Sequence, residues 1–463
     1  MCLNLNNINI CASGESMNIL RFRYYIRRGA NSQHWVVYLE GGGYCWDKTS
    51  CEGRWKRRPG LMSSSRWPRA RRAPALLSAD PAANPLWHKS NHVLLPYCSS
   101  DMWAGTRIQT TNTTFAFTGR LIVKAVLNEL LQLGLKGRLL LIGSSAGGAG
   151  AMLHADAARR TLRNHGIRVA AIADSGWFLD RPPRARKASS TDAIARLGHS
   201  LWQGSPPSAC VRIYREKPWL CYFGYRLYPH IRTPLFVFQY LFDSAQLTAE
   251  GVRAPRTRAQ WDAVHETGSA IRASLKSVRA TFAPACIAHG ALARPEWLSI
   301  NVSGVSLPRA IACWERRIGN ANRRDRVRCA PRRLIERCSW PQCNGSCPRL
   351  PLCRIRLYCH NLVERSTLIS IERSMTSFAR KKSDATMFDR CLQSVLSRVV
   401  TLRLTASALC LKEPLRSNMS RTLGVVCAIA ENIGDRAEGC GEVLIALSKY
   451  SSSFVGLFVL AHN

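Results

Sequence analysis

Arg138-Leu-Leu-Leu-Ile-Gly-Ser-Ser-Ala-Gly-Gly148 is the most informative run in the chain. Residues 138–142 are apolar without alternation, the pattern of a strand buried on both faces. They lead into Gly143-Ser144-Ser145-Ala146-Gly147, a G-x-S-x-G pentapeptide, after which a helix is expected to begin around Ala149. In that context small residues flank Ser145 because a sharp strand-to-helix turn leaves no room for bulk. The turn lifts the Ser145 hydroxyl above the sheet, where it can act as a nucleophile. The backbone N–H of Ala146, at a helix N-terminus, is then ready to donate to an oxyanion. Ser144 is expected to support the turn.

Upstream, His34-Trp-Val-Val-Tyr-Leu39 is a second buried strand, and it stops at Glu40-Gly-Gly-Gly43. Gly41 and Gly42 suit the loop that supplies the other oxyanion donors. A phosphate loop is a poor reading, because no Gly-Lys-Ser/Thr ending follows. Further strands are expected at His92–Pro96, Val169–Ala173 and Pro234–Gln239, with an amphipathic helix over Leu121–Leu133. Non-alternating strands separated by helices imply an α/β fold with a mostly parallel central sheet flanked by helices.

A serine nucleophile on such a sheet needs an acid and then a histidine later in the chain. Downstream of Ser145 the main histidines are His265 and His289. His289 sits in a loop pinned by Cys286, whereas His265 lies in a polar helix-like segment expected to face solvent. Asp243 follows the strand ending at Phe242, where a sheet delivers side chains to its C-terminal edge. Asp174 also ends a strand and is read as a structural or pocket residue; Asp192 looks exposed. Spacing alone leaves Asp243 with His289 in front without settling the choice.

Composition narrows the setting. The chain has 463 residues, of which 66 are Lys or Arg and 29 Asp or Glu, a net charge of +37. That surplus favours polyanionic partners. No nucleic-acid-binding module signature is visible, so nucleic acid is set aside in favour of sulfated glycans. No apolar stretch is long enough to span a bilayer. Nineteen cysteines, seven of them between Cys313 and Cys359, point to a disulfide framework in an oxidising compartment. Cys338, Cys343 and Cys347 lack the spacing of a zinc site, and no metal or organic cofactor is expected. Sequons at Asn112, Asn301, Asn344 and Asn418 suit secretion, although no signal peptide is visible at the first residues. Two regions are expected: a hydrolase domain over 1–350 and an atypical basic extension over 351–463, loosely ordered.

These residues carry a resemblance to the Notum branch of the pectin acetylesterase family of α/β-hydrolases. The matching segments include Leu39-Glu-Gly-Gly, Pro96-Tyr-Cys-Ser-Ser-Asp101, Gly143-Ser-Ser-Ala-Gly-Gly148, Asp174-Ser-Gly-Trp-Phe-Leu-Asp180, Leu241-Phe-Asp243, and Phe282-Ala-Pro-Ala-Cys286 with His289. The resemblance implies Ser145 as nucleophile, Asp243 as orienting acid and His289 as base, with Gly41, Gly42 and Ala146 forming the oxyanion hole. It implies a secreted carboxylesterase that removes a palmitoleoyl group from a serine of Wnt proteins and also meets heparan-sulfate glypicans. Gly43, Tyr44, Ile194, Tyr222 and Phe223 fall where the acyl pocket is expected. Gly43 departs from the tryptophan of Notum-like enzymes, and there the chain resembles plant pectin acetylesterases. The same resemblance pairs Cys45 with Cys51, Cys210 with Cys221, and Cys11 with Cys98. The competing readings are a carbohydrate O-acetylesterase and an inactive, secreted glycan binder.

Overall fold

The computed structural model describes residues 2–9 (backbone), 21–30, 33–108, 114–182, 190–253, 255, 257–319, 329 and 331–348. The expected extension over 351–463 lies outside them. The strands are β1 (Cys2–Asn9), β2 (Arg21–Arg27), β3 (His34–Leu39), β4 (Ala70–Arg72), β5 (Asn91–Leu95), β6 (Arg138–Ser144), β7 (Arg168–Asp174), β8 (Leu235–Phe238) and β9 (Thr281–Ala283). A small hairpin of β10 (Asn301–Val302) and β11 (Val305–Ser306) stands apart, and β12 (Arg333–Ile335) follows. All but the hairpin join one sheet in the order β12-β9-β8-β7-β6-β3-β5-β2-β1-β4. From β12 to β5 every pairing is parallel; β2, β1 and β4 continue the sheet antiparallel. This is the mostly parallel, helix-flanked sheet expected from the sequence.

Both faces of the central strands are covered, which is why those strands read as continuous apolar runs. Val36, Tyr38, Leu140, Ile142, Ile172, Phe236 and Phe238 join one core cluster with Trp87, Trp297 and Trp314. The intervening Val37, Leu139, Leu141, Ala171 and Val237 are equally buried. The helix Ala146–Arg163 lies against β6 and β7. Its start differs from the expectation of Ala149: the Ala149 N–H donates to the Ser145 carbonyl (3.0 Å), so helical bonding begins one turn earlier, with Ser145 itself as the cap.

Cys45 is bonded to Cys51 and Cys210 to Cys221; Cys286–Cys347 and Cys338–Cys343 are further disulfides. Cys98 is also disulfide-bonded, whereas Cys11 lies outside the described residues. Among the sequons, Asn112 and Asn418 lie outside as well. The Asn344 amide donates to the Asn301 carbonyl (2.6 Å) and to Glu336 (2.7 Å), so it already has work inside the fold.

Two sequence expectations are corrected. His265 does not face solvent: it is half-buried, edge-on to Trp340 (4.8 Å between ring centroids) and near Phe242 (6.3 Å). Asp192 is likewise half-buried and accepts the Trp219 indole N–H (2.9 Å). In both cases an aromatic neighbour distant in sequence covers a polar side chain, which local polarity does not reveal.

The Cys286–Cys347 bond closes 61 residues of chain and anchors the segment that carries His289. Replacing both cysteines by alanine is expected to lower unfolding free energy by about 2–4 kcal/mol, measured by urea titration.

Candidate active site

Parallel strands deliver their C-terminal ends to one edge of a sheet, and β6, β7, β8 and β9 are consecutive neighbours. Ser145 follows β6, Asp174 ends β7, Asp243 follows β8 and His289 follows β9. Four side chains far apart in sequence therefore reach the same edge.

Ser145 adopts φ 58° and ψ −123°, left-handed backbone for a residue with a Cβ. Such a conformation costs about 1–3 kcal/mol and persists only where surroundings impose it. Here its N–H donates to the Asp174 carbonyl (2.8 Å) and its carbonyl caps the following helix. The residue is only half-buried, whereas Ser144 is buried and donates to Asp174 Oδ2 (2.5 Å). The turn thus turns one serine outward and ties the other inward.

Asp243 is fully buried at the N-cap of the helix Ser244–Ala249. Its Oδ1 accepts the N–H groups of Ala245 (2.9 Å) and Gln246 (3.0 Å), and its Oδ2 accepts Gln239 Nε2 (3.0 Å). His289 Nδ1 lies 2.8 Å from Oδ2 and 3.0 Å from Oδ1. A carboxylate with these donors has its lone pairs directed, so the imidazole is held with Nδ1 protonated. His289 Nε2 is then the free base, and it is buried without a hydrogen-bond partner among the described residues. Burial alone would lower the His289 pKa; the Asp243 charge and hydrogen bond, helped by Asp174, outweigh it and raise the value.

The segment Asp174–Asp180 is fastened over this pair. Gln239 accepts the Trp177 N–H (3.1 Å) while donating to Asp243. The Gln246 amide accepts the Leu179 N–H (2.9 Å) and donates to the Leu179 carbonyl (3.1 Å). Phe178, between them, places its ring 6.2 Å from that of His289. Sequence reading did not single out Gln239, Gln246 or Phe178. In sequence Gln239 and Gln246 show only as polar residues just after β8 and in the first turn of the next helix, and Phe178 only as an apolar residue in the segment after β7.

The glycine loop lies beside Ser145: a Cβ on Gly41 would fall 2.7 Å from that of Ser145. Ala146 begins the helix, so its N–H is among those without an intrahelical partner. Arg54, another residue not anticipated, donates from Nη2 to the Gly42 carbonyl (2.5 Å) and from Nε to Ser100 Oγ (2.6 Å). Ser100 Oγ in turn donates to the Leu61 carbonyl (2.7 Å).

The residues expected to line an acyl pocket are placed unequally. Gly43 is exposed at φ 70°, with only an Arg54 nitrogen, at 3.7 Å, near its absent Cβ. Tyr44 packs edge-on to Trp202 (5.6 Å), and Trp202 meets Tyr222 (5.9 Å). Burial pushes the Tyr44 hydroxyl up to about 12. The Tyr222 hydroxyl is bonded to His199 Nδ1 (2.8 Å), so it is already paired within the wall. Phe223 is buried, and Ile194 is half-buried on the helix Thr191–Trp202. Trp202 and His199 are the members that the sequence left unnoticed. Among the described residues no cluster of His, Cys, Asp and Glu has the make-up of a metal site.

A serine on a strained turn, an imidazole held by a carboxylate and backbone N–H groups near a helix start are the parts that acyl transfer requires. NMR titration of the His289 ring is expected to give a pKa above 6.5 in the parent protein. In Asp243→Asn, burial is left largely unopposed and the value should fall below 6.5.

Comparison with known proteins agrees with this arrangement. Residues 21–348 match the Pectinacetylesterase family model. The palmitoleoyl-protein carboxylesterase NOTUM of Drosophila melanogaster is 46% identical over 324 residues, covering 67% of this chain and 48% of that protein. The mouse palmitoleoyl-protein carboxylesterase NOTUM is 41% identical over 345 residues, covering 71% of this chain and 68% of that protein. The chain thus spans about half the length of the fly relative and about two thirds of the mouse one. A crystal structure of the Wnt deacylase Notum from Drosophila superposes with a TM-score of 0.70 at 45% identity, covering 75% of this chain and 100% of that one. The chain belongs to the pectin acetylesterase family, in its Notum branch.

Proposed function

We propose that this protein is a serine carboxylesterase that removes the palmitoleoyl group from a serine of Wnt proteins and so opposes Wnt signalling. The supporting observation is the Asp243–His289 pair, which leaves a buried, unpartnered Nε2 at the sheet edge that carries Ser145. The relatives named for this activity supply the substrate.

In this reading His289 Nε2 takes the Ser145 proton as the hydroxyl attacks the ester carbonyl. Asp243 holds the imidazole tautomer and stabilises the imidazolium that forms. The N–H groups of Gly41, Gly42 and Ala146 receive the developing oxyanion. His289 then returns the proton to the departing serine hydroxyl of the substrate, and a water molecule activated in the same way hydrolyses the acyl-enzyme. No metal or organic cofactor enters these steps.

Gly43, Tyr44, Ile194, Tyr222 and Phe223 are assigned to the acyl pocket, with the Tyr44–Trp202–Tyr222 stack as one wall. The site residues leave Gly43 as the main departure, since a side chain at that position would narrow the mouth. The enzyme is assigned to the extracellular space, in keeping with its disulfides. Among the described residues no helix is long and apolar enough to cross a membrane. Heparan sulfate or glypican-type glycans are the proposed partners of its basic surface. A cleft lined by Ser277, Arg279, Arg332 and Arg333 offers three guanidinium groups and a hydroxyl to a sulfated chain.

Hydrolysis of p-nitrophenyl esters from acetate to decanoate tests the reading. Turnover should peak at medium chain length and fall by about 10⁶-fold in Ser145→Ala. A preference for acetate would replace it with carbohydrate deacetylation, and serine-independent turnover would remove it. For the glycan partner, the triple change R279E/R332E/R333E should elute from immobilised heparin at lower salt than the parent, because fewer counterions are displaced on binding. Unchanged elution would place the glycan elsewhere.

A further inference from the structure

Asp174 is a fully buried carboxylate at the end of β7, and the steps above make no use of it. Its Oδ2 accepts the Ser144 hydroxyl (2.5 Å) and the N–H groups of Ala291 (3.0 Å) and Leu292 (3.0 Å). Its Oδ1 accepts the Ser175 hydroxyl (3.0 Å), and Ser175 Oγ accepts the Gly290 N–H (3.0 Å). Its main-chain carbonyl accepts the Ser145 N–H (2.8 Å). The partners fall into two groups. One adjoins the Ser145 turn, and the other comprises the three residues that follow His289.

We propose that Asp174 is a positioning residue for ester hydrolysis: one buried carboxylate that fastens the histidine loop to the nucleophile turn and sets a second negative charge behind the imidazole. The proposal rests on the catalytic reading of Ser145, Asp243 and His289.

The geometry argues for more than loop packing. The strained Ser145 turn and the His289 loop are not paired to each other by strand hydrogen bonds, since β6 and β9 are separated in the sheet by β7 and β8. Asp174 bridges them in a single step. A shift of about 1 Å between nucleophile and base costs on the order of 10²-fold in rate, so a rigid strut between them has a direct kinetic consequence. The charge has a consequence of its own. The groups acting on the His289 ring are Asp243 from the turn after β8, Asp174 from β7 and Arg294 from its own loop, with the Phe178 ring alongside. Both carboxylates favour the protonated ring, whereas Arg294 disfavours it. Burial pushes the Asp174 carboxyl up, and the donors from Ser144, Ala291, Leu292 and Ser175 oppose that push.

Asp174→Asn keeps the shape and removes the charge. It is expected to reduce kcat by about 10²-fold, with KM nearly unchanged, because substrate does not touch Asp174. The acid limb of the pH profile should also move to lower pH: the neutral imidazole is the active form, and it persists further into acid once a neighbouring negative charge is gone. A purely structural residue would not move that limb. Arg294→Gln supplies the opposite sign and should move it to higher pH. Ser175→Ala, a smaller change, removes the link to the Gly290 N–H while leaving the carboxylate, so kcat should fall severalfold with the limb in place. This variant serves if Asp174→Asn does not fold. An unchanged kcat in Ser175→Ala, or a folded Asp174→Asn with an unmoved acid limb, would overturn the inference. Ser145→Ala and His289→Ala, assayed alongside, separate the two levels. If they retain turnover, the catalytic reading fails; if they are inactive while the Asp174 variant matches the parent, only this inference fails.

Discussion

The left-handed backbone at Ser145 is the constraint on which the site depends. A strand that must end and a helix that must begin within one residue leave no relaxed conformation for the residue between them. The strain of about 1–3 kcal/mol is small beside the burial of β6, β7 and the helix that packs on them, so the whole fold can impose it. That is why the turn sits at the centre of the sheet. The same strain leaves Ser145 half-buried at the sheet edge and, in the proposed mechanism, turns the first helical N–H groups toward a developing negative charge. The proposed nucleophile and oxyanion donors are therefore consequences of one backbone decision.

Around that turn the fold uses a single device repeatedly. Asp101, Asp174 and Asp243 are each fully buried; the first two are satisfied by hydroxyl and main-chain N–H donors, and Asp243 by main-chain N–H groups, the Gln239 amide and His289. Asp101 accepts from the Ser99 hydroxyl and from the N–H groups of Trp103, Gly105 and Gly119. Such donors favour the ionised form without the desolvation cost of burying a cation as well. They also convert each carboxylate into a knot that fixes an irregular loop at the C-terminal side of the sheet. Asp101 fixes the loop after β5, Asp174 joins the loops after β6 and β9, and Asp243 opens the helix after β8. Only Asp243 has its remaining lone pair turned toward an imidazole. In the proposed mechanism, chemistry is thus carried by one member of a set that also holds loops still.

This also explains how much the sequence disclosed. The central strands were legible because burial on both faces writes itself as an uninterrupted apolar run, as in Arg138–Ile142 and Val169–Ala173. The Ser145 turn was legible because its steric demands appear as small residues at fixed spacing. The short strands β9 and β12 were not, since three residues carry no periodicity. The antiparallel edge β1, β2 and β4 was hidden by the Arg and Asn residues that interrupt its sequence. Asp174 ends β7 and Asp243 lies shortly after β8, so the two look alike in sequence. Whether a carboxylate meets an imidazole ring or the backbone behind it is decided by the turn geometry after each strand. Arg54 was not legible as a site residue, because a charge bonded to a carbonyl and a hydroxyl has no local signature.

Arg54 and Gly43 belong to one physical argument. Gly43 has φ 70°, a conformation that costs a residue with a Cβ about 1–2 kcal/mol and glycine almost nothing. A residue with a Cβ there would meet that cost, with only an Arg54 nitrogen within 4 Å of the Cβ. Glycine avoids the strain but has no side chain with which to orient the Gly42–Gly43 peptide. The guanidinium of Arg54 takes that part, anchored to the Gly42 carbonyl on one side and to Ser100 on the other. It projects from the helix Lys48–Arg57, which the Cys45–Cys51 bond holds beside the loop. Because the peptide is trans, a carbonyl turned toward Arg54 turns the following N–H the opposite way. The orientation of this loop is therefore set by a charge outside it, while the space that a side chain would fill stays open at the mouth of the site.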